Sequence, residues 1–139
     1  MNTQRSFVLA FDTANEVIAI GLGKLDAATQ SIECVASVEV EARRASNTQL
    51  VPRIDELCAR AGVAREKIAC VCVGRGPGSF TGVRIGVSTA KGLAWGAQKP
   101  AIGVSTLEAM AYRGLAAGEG ALVCAAMDAR RSQIYNALF

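Results

Sequence analysis

Ile68-Ala69-Cys70-Val71-Cys72-Val73-Gly74 runs directly into Arg75-Gly76-Pro77-Gly78-Ser79-Phe80-Thr81-Gly82-Val83-Arg84-Ile85-Gly86. The first part is a continuous apolar run of strand length. That pattern belongs to a strand buried on both faces, hence to a parallel sheet. The second part turns a corner. Gly74, Gly76 and Gly78 permit backbone angles that other residues resist. Ser79 or Thr81 then caps a helix that runs to about Trp95. Strand, glycine corner and helix make an α/β unit.

Upstream, Phe7–Asp12 reads as a short buried strand, Thr13–Glu16 as a turn and Val17–Gly23 as its hairpin partner. Ile32–Val40 reads as a third strand. A helix begins near Ser46, where Ser46 and Gln49 fit a capping box. Leu50, Val51, Ile54, Leu57, Cys58 and Ala61 give it one apolar face, and Gly62 suits its end. Pro52 removes a backbone donor, so the sequence predicts a bend or a late start there. Downstream, Ala101–Val104 is a strand. Ser105 and Glu108 form a second capping box for a helix through about Leu115. Leu122–Asp128 and Gln133–Phe139 form a closing hairpin.

That hairpin echoes the first. Val123–Asp128 and Phe7–Asp12 are both apolar runs ending in Asp before a turn, and Asp12 and Asp128 are 116 residues apart. The spacing suggests tandem units, with one lobe over 1–118 and the opening of a second over 119–139. The expectation is a chain that is truncated after that opening.

The chain has 139 residues, 51% hydrophobic and 19% charged, with mean hydropathy +0.28. Enough apolar surface is present to offset chain entropy, which excludes a disordered protein. The net charge of +3 is too small to indicate a nucleic-acid module. The pairs Arg43-Arg44 and Arg130-Arg131 read as solvated turns rather than a phosphate track. Histidine is absent, which removes His-based triads and His-bearing metal sites. Five cysteines without a Cys-x-x-Cys pair indicate neither a disulfide framework nor a zinc ribbon. Cys70 and Cys72 read as buried small hydrophobes on one strand face. The N-terminal apolar stretch is too short for a signal peptide, and Val83–Ala97 contains Arg84 and Lys91, so no membrane span is expected. A reduced, cytoplasmic setting follows.

Three glycine-loop templates fail on residues 74–86. A nucleotide P-loop needs Gly-Lys-Ser/Thr where Gly82-Val83-Arg84 stands. The dinucleotide pattern meets Ser79 where its third glycine belongs, and no Gly-x-Ser-x-Gly elbow is present. What remains is a corner whose helix start, with Arg75 nearby, has the chemistry to hold an anion. The anion- or nucleotide-proximal candidates are Asp12, Thr13, Arg75, Gly78, Ser79 and Thr81. In the helix, Gly82, Gly86, Ala90 and Ala94 lie four apart and form a ridge of small side chains. Gly82, Gly86 and Gly92 together cost helix stability about 2.5–3 kcal/mol. Such a ridge admits a closely approaching backbone, either the chain's own or a partner's, with Val83, Val87 and the Arg84 stem as flanking contacts.

Residues 74–86, with Asp12-Thr13, Lys91-Gly92-Leu93-Ala94, Gly103-Val104-Ser105-Thr106-Leu107 and Asp128-Ala129-Arg130, resemble the TsaB (YeaZ) family. The resemblance implies an α/β actin/Hsp70-like (ASKHA, ribonuclease H-like) lobe with a mixed sheet flanked by helices, plus the first hairpin of a second lobe. It implies a non-catalytic assembly role in making N6-threonylcarbamoyladenosine (t6A37) on tRNA, with TsaD as the catalytic partner and TsaE as the ATPase. It also implies a homodimer when alone, tRNA reached only through the complex, and a partner surface on the first-lobe helices. Carried onto this sequence, that surface comprises Leu50, Ile54, Leu57, Gly82, Val83, Arg84, Gly86, Val87 and Ala90.

Three departures narrow the implied chemistry. Ser46-Asn47 stands where many members carry His-Ser or His-Thr, and the catalytic paralogue's metal-binding histidines have no counterpart. The hairpin turn Asp12-Thr13-Ala14-Asn15-Glu16 lacks the glycine of ATP-using relatives, so no metal, no catalytic residue and no cofactor bound by this chain alone are expected. ATP or ADP then belongs to the assembled complex. Two alternatives stand beside this reading. One is an ATP-binding kinase-like enzyme using Asp12 and Asp128. The other is an M22-type glycoprotease-like peptidase using Ser79 or Cys124, with no histidine to activate either.

Overall fold

The computed structural model describes residues 6–41, 48–114 and 118–139. Strands β1 (Ser6–Asp12), β2 (Val17–Asp26) and β3 (Ser31–Glu41) form an antiparallel meander. Helix α1 (Leu50–Arg60) leads to β4 (Ile68–Gly74), which pairs parallel with β1. Helix α2 (Phe80–Ala97) returns the chain to β5 (Ala101–Val104), parallel to β4. The sheet order is β3-β2-β1-β4-β5. A mixed sheet in this order with helical crossovers is the ribonuclease H-like lobe of the actin/Hsp70 class, as the resemblance implies. A short helix α3 (Thr106–Tyr112) precedes a separate two-stranded sheet of β6 (Cys124–Arg130) and β7 (Gln133–Leu138).

The core lies between the sheet and the two longer helices. Leu9, Phe11, Ile18, Ile20, Leu22, Val71 and Val73 face Leu50, Ile54, Leu57 and Cys58 of α1 and Ala90 and Ala94 of α2. These helix positions therefore point into the protein. The partner surface expected at Leu50, Ile54, Leu57, Gly86 and Ala90 is corrected accordingly, because the chain's own sheet covers them. Each is buried by the same 3.6-residue periodicity that made it conspicuous.

Pro52 produces the late start. The first intrahelical bond runs from Arg53 N–H to Gln49 C=O at 3.0 Å, so Pro52 sits in the first turn, where no donor is required of it. Ser46 of the expected capping box lies outside the described residues, and Gln49 makes no side-chain cap. At the other end, Gly62 takes φ +65°, its N–H bonds Ala59 C=O and that of Val63 bonds Cys58 C=O. This is a Schellman stop.

Some strand boundaries differ from expectation. β2 continues past Gly23 to Asp26, paired with β3 throughout, and a Cβ at Gly23 would collide with the Ile32 side chain. The ribbon turns at Asp26, whose Oδ1 accepts from Ala28 N–H at 2.9 Å; the backbone donors hold its carboxyl below the usual range. β6 starts at Cys124 rather than Leu122, which is exposed. Leu115, where α3 was expected to end, lies outside the described residues. Among the described residues no helix is long and apolar enough to cross a membrane.

Cys70 and Cys72 share the sheet face opposite the helices and are half-buried rather than fully buried. Burial, then the neighbouring Cys70, pushes the Cys72 thiol up to about 11, and burial raises Cys58. Cys34 and Cys124 are exposed. At pH 8, thiol labelling of the native protein is expected to modify Cys34 and Cys124 first, with Cys58 and Cys72 reacting only on unfolding. Peptide mapping after brief labelling checks this, and early modification of Cys72 contradicts it.

Two glycines of α2 give opposite outcomes. A Cβ on Gly92 meets open space, whereas one on Gly86 collides with Thr13 Oγ1 and comes within 3.4 Å of Val73 Cγ2. Urea denaturation is expected to show Gly92→Ala stabilising by about 1 kcal/mol and Gly86→Ala destabilising by about 1–3 kcal/mol. Equal effects at the two positions would contradict the inward placement of Gly86.

Candidate functional site

The β1–β2 turn is wedged into the glycine segment. Cβ atoms on Gly74, Gly78, Gly82 and Gly86 would collide respectively with the Asp12 carboxylate, Ala14, the Thr13 carbonyl and Thr13 Oγ1. The regularly spaced glycines thus exist to admit three consecutive residues of the first hairpin. The ridge does receive a close backbone, and that backbone is the chain's own.

Hydrogen bonds close this interlock. Asp12 Oδ1 accepts from Ala14 N–H at 2.7 Å, and Asp12 Oδ2 accepts from Thr106 Oγ1 at 2.7 Å. Thr13 Oγ1 donates to Gly82 C=O at 2.6 Å. Ser79 N–H donates to Ala14 C=O at 2.7 Å and Thr106 N–H to Gly76 C=O at 2.9 Å. Arg75 N–H donates to Val104 C=O at 2.9 Å. Among the described residues, Thr13 and Thr106 are the buried polar side chains, and both are bonded inside this one assembly.

The candidate anion-proximal residues therefore come together, but most are already engaged. Both Asp12 oxygens have donors. Ser79 Oγ caps α2 by accepting from Gly82 N–H at 3.2 Å. Gly78 lies against Ala14, while Arg75 and Thr81 remain exposed. Sequence reasoning missed Thr106 as the second ligand of Asp12. Its signal was Ser105-Thr106 at a helix start, which reads equally well as a simple cap. The capping itself is present, with Ser105 Oγ accepting from Glu108 N–H at 3.4 Å.

The second Asp behaves like the first in one respect: Asp128 Oδ1 accepts from Arg130 N–H at 2.7 Å. Asp128 is exposed and its hairpin packs on α3 through Leu107, Ala111 and Ala125. Ser79 is used as a helix cap and Cys124 sits exposed on β6, and neither has a histidine to activate it. Among the described residues no group of three His, Cys, Asp or Glu side chains is arranged to hold a metal ion.

The exposed side of α2 is different in kind. Phe80 is 75% exposed and Trp95 is 88% exposed. Arg84 stacks over Phe80 with its guanidinium 5.1 Å from the ring centre. Val83 and Val87 are partly exposed beside them. Of the expected partner surface, Val83, Arg84 and Val87 thus remain accessible.

The family model described as TsaD, tRNA N6-adenosine threonylcarbamoyltransferase, matches residues 38–139. Among curated proteins, the chain is 37% identical over 132 residues to the tRNA threonylcarbamoyladenosine biosynthesis protein TsaB of Haemophilus influenzae, covering 95% of this chain and 53% of that protein. It is 37% identical over 128 residues to TsaB of Escherichia coli, covering 92% and 52%. Among solved structures, YeaZ from Pseudomonas aeruginosa superposes with a TM-score of 0.77 at 34% identity, covering 96% of this chain and 60% of that one. The chain spans about half the length of the curated relatives it matches.

Thr106→Val removes one donor from a partly buried carboxylate and is expected to cost about 1.5–3 kcal/mol, with Thr106→Ser recovering most of it. Denaturant midpoints measure both. Equal stability of the valine variant and wild type would show that the Asp12–Thr106 bond is not holding the lobe together.

Proposed function

The chain belongs to the TsaB (YeaZ) family, and we propose that it serves as a non-catalytic partner of TsaD in forming N6-threonylcarbamoyladenosine on tRNA. The observation that carries this reading is the filled turn at Asp12-Thr13-Ala14. An ATP user of this fold class keeps such a turn open for phosphates. Here Asp12 has a donor on each oxygen and Ala14 packs into Gly78. A phosphate approaching the turn would have to displace these internal bonds, so the site supports a scaffold better than a kinase-like enzyme. ATP or ADP then acts in the assembled complex, which includes TsaE and binds tRNA as a whole. Residues 119–139 are read as the opening hairpin of a second, similar unit, because Asp128 repeats the local bond made by Asp12.

The partner surface in this reading is the outward face of α2. Phe80, Val83, Arg84 and Val87 lie together, with Trp95 further along the helix, and large exposed aromatic and Arg side chains are the usual anchors of protein interfaces. A homodimer of the chain alone uses the same face.

Calorimetric titration with TsaD tests the assignment. Phe80→Asp and Arg84→Glu are each expected to weaken pairing at least tenfold, about 1.4 kcal/mol, without lowering the melting midpoint. Unchanged affinity for both variants rejects this face as the interface. Micromolar ATP binding by the chain alone would favour the kinase-like alternative.

A further inference from the structure

The tip of the β6–β7 hairpin violates local turn preference. Arg130, Arg131 and Ser132 take φ +65°, +52° and +60° in succession. A tight hairpin loop in this left-handed conformation favours Asn and Gly. Three non-glycine residues there, two of them Arg, are a local conflict of the kind that marks functional sites.

The charges at this tip are also unanswered. Arg53 pairs with Glu56 and Arg65 with Asp55, but among the described residues neither Arg130 nor Arg131 forms an ion pair. The neighbouring Asp128 turns its Oδ1 to the backbone N–H of Arg130 instead. Both arginines are exposed.

The hairpin's direction places the tip. Gly114, just beyond the end of α3, lies against the Val123 side chain at the base of β6. Leu107 and Ala111 of α3 form one cluster with Ala125, and Met127 packs against it. β6 therefore runs back along α3, from Gly114 toward the end where Thr106 meets Asp12, and the tip lies further along that direction. Arg75, also exposed, belongs to the same end through its bond to Val104.

We propose that Arg130 and Arg131 at this tip bind the phosphodiester backbone of RNA, with Arg75 on the same rim. Guanidinium groups suit phosphate oxygens through paired N–H donors, and backbone contacts position an RNA without reading its sequence. The assignment rests on the tRNA-modification reading above and adds to it a direct contact made by this chain. It replaces the expectation that Arg130-Arg131 is merely solvated surface.

The test is binding of an unmodified tRNA transcript by fluorescence anisotropy over a range of salt, for the full chain with TsaD. Arg130→Ala/Arg131→Ala is expected to reduce the slope of log K against log salt by about two, and Arg131→Gly by about one. Arg131→Gly relaxes the loop, so its melting midpoint is expected to hold or rise while RNA binding falls. A purely structural tip would move both together. Arg60→Ala, an exposed cation on α1, serves as the control and leaves the slope unchanged. An unaltered slope in the double variant overturns the proposal, as does loss of binding to phosphatidylserine vesicles with none to tRNA. TsaD affinity is measured on the same samples. Pairing retained with an unaltered slope rejects only the RNA contact, whereas absence of pairing in the wild type rejects the underlying reading.

Discussion

The lobe depends on one close approach, that of the Asp12-Thr13-Ala14 turn to the glycine segment. Four side chains are missing from the segment because three residues of the hairpin occupy their space. Close packing of this kind is intolerant: an added methyl group has nowhere to go, since the opposing atoms are backbone, the Ala14 methyl, or the Asp12 carboxylate and Thr13 hydroxyl held by their own bonds. β1, β4, α2 and α3 are fixed relative to one another through it. The Asp12–Thr106 bond spans 94 residues and the Thr13–Gly82 bond 69. Both are long-range contacts that join separate elements of the lobe.

Much of this architecture was legible in the sequence because it rests on periodicity. The run Ile68–Gly74 identified the parallel strand, and the spacing of Leu50, Ile54 and Leu57 identified an apolar face of α1, although the resemblance gave that face to a partner and the structure turns it inward. What periodicity does not specify is the occupant opposite a face. Gly82, Gly86, Ala90 and Ala94 announce that a backbone approaches, and a partner's helix and the chain's own turn leave the same signature in sequence. Only the structure separates them, because the answer lies in residues 12–14, far away in the chain. Thr106 was hidden for the same reason, since its role is defined by a long-range partner. Gly23 misled by the opposite route. A glycine in a strand looks like an ending, yet here the ribbon continues past it, paired with β3 throughout.

The inward turn of the ridge changes what an interface on α2 must be made of. A small-residue seam associates by backbone proximity and tolerates few substitutions. The outward face offers large side chains instead, with Phe80 and Arg84 already stacked and Trp95 almost fully in water. Such anchors lose little conformational freedom on binding and bury much area. The division also separates two requirements on one helix. Its inner face must stay small to admit the hairpin turn, while its outer face carries large side chains in water.

The same separation bears on chemistry. A carboxylate at the end of the first strand is poised, in this fold class, to act on a ligand in a cleft. Reactivity requires that it keep an oxygen and some space available. In Asp12 each oxygen already accepts one internal hydrogen bond, from Ala14 N–H and from the Thr106 hydroxyl. Its negative charge is thereby spent on positioning α3, and α3 in turn carries the β6–β7 hairpin through Leu107 and Ala111. The carboxylate thus holds in place the element that presents Arg130 and Arg131.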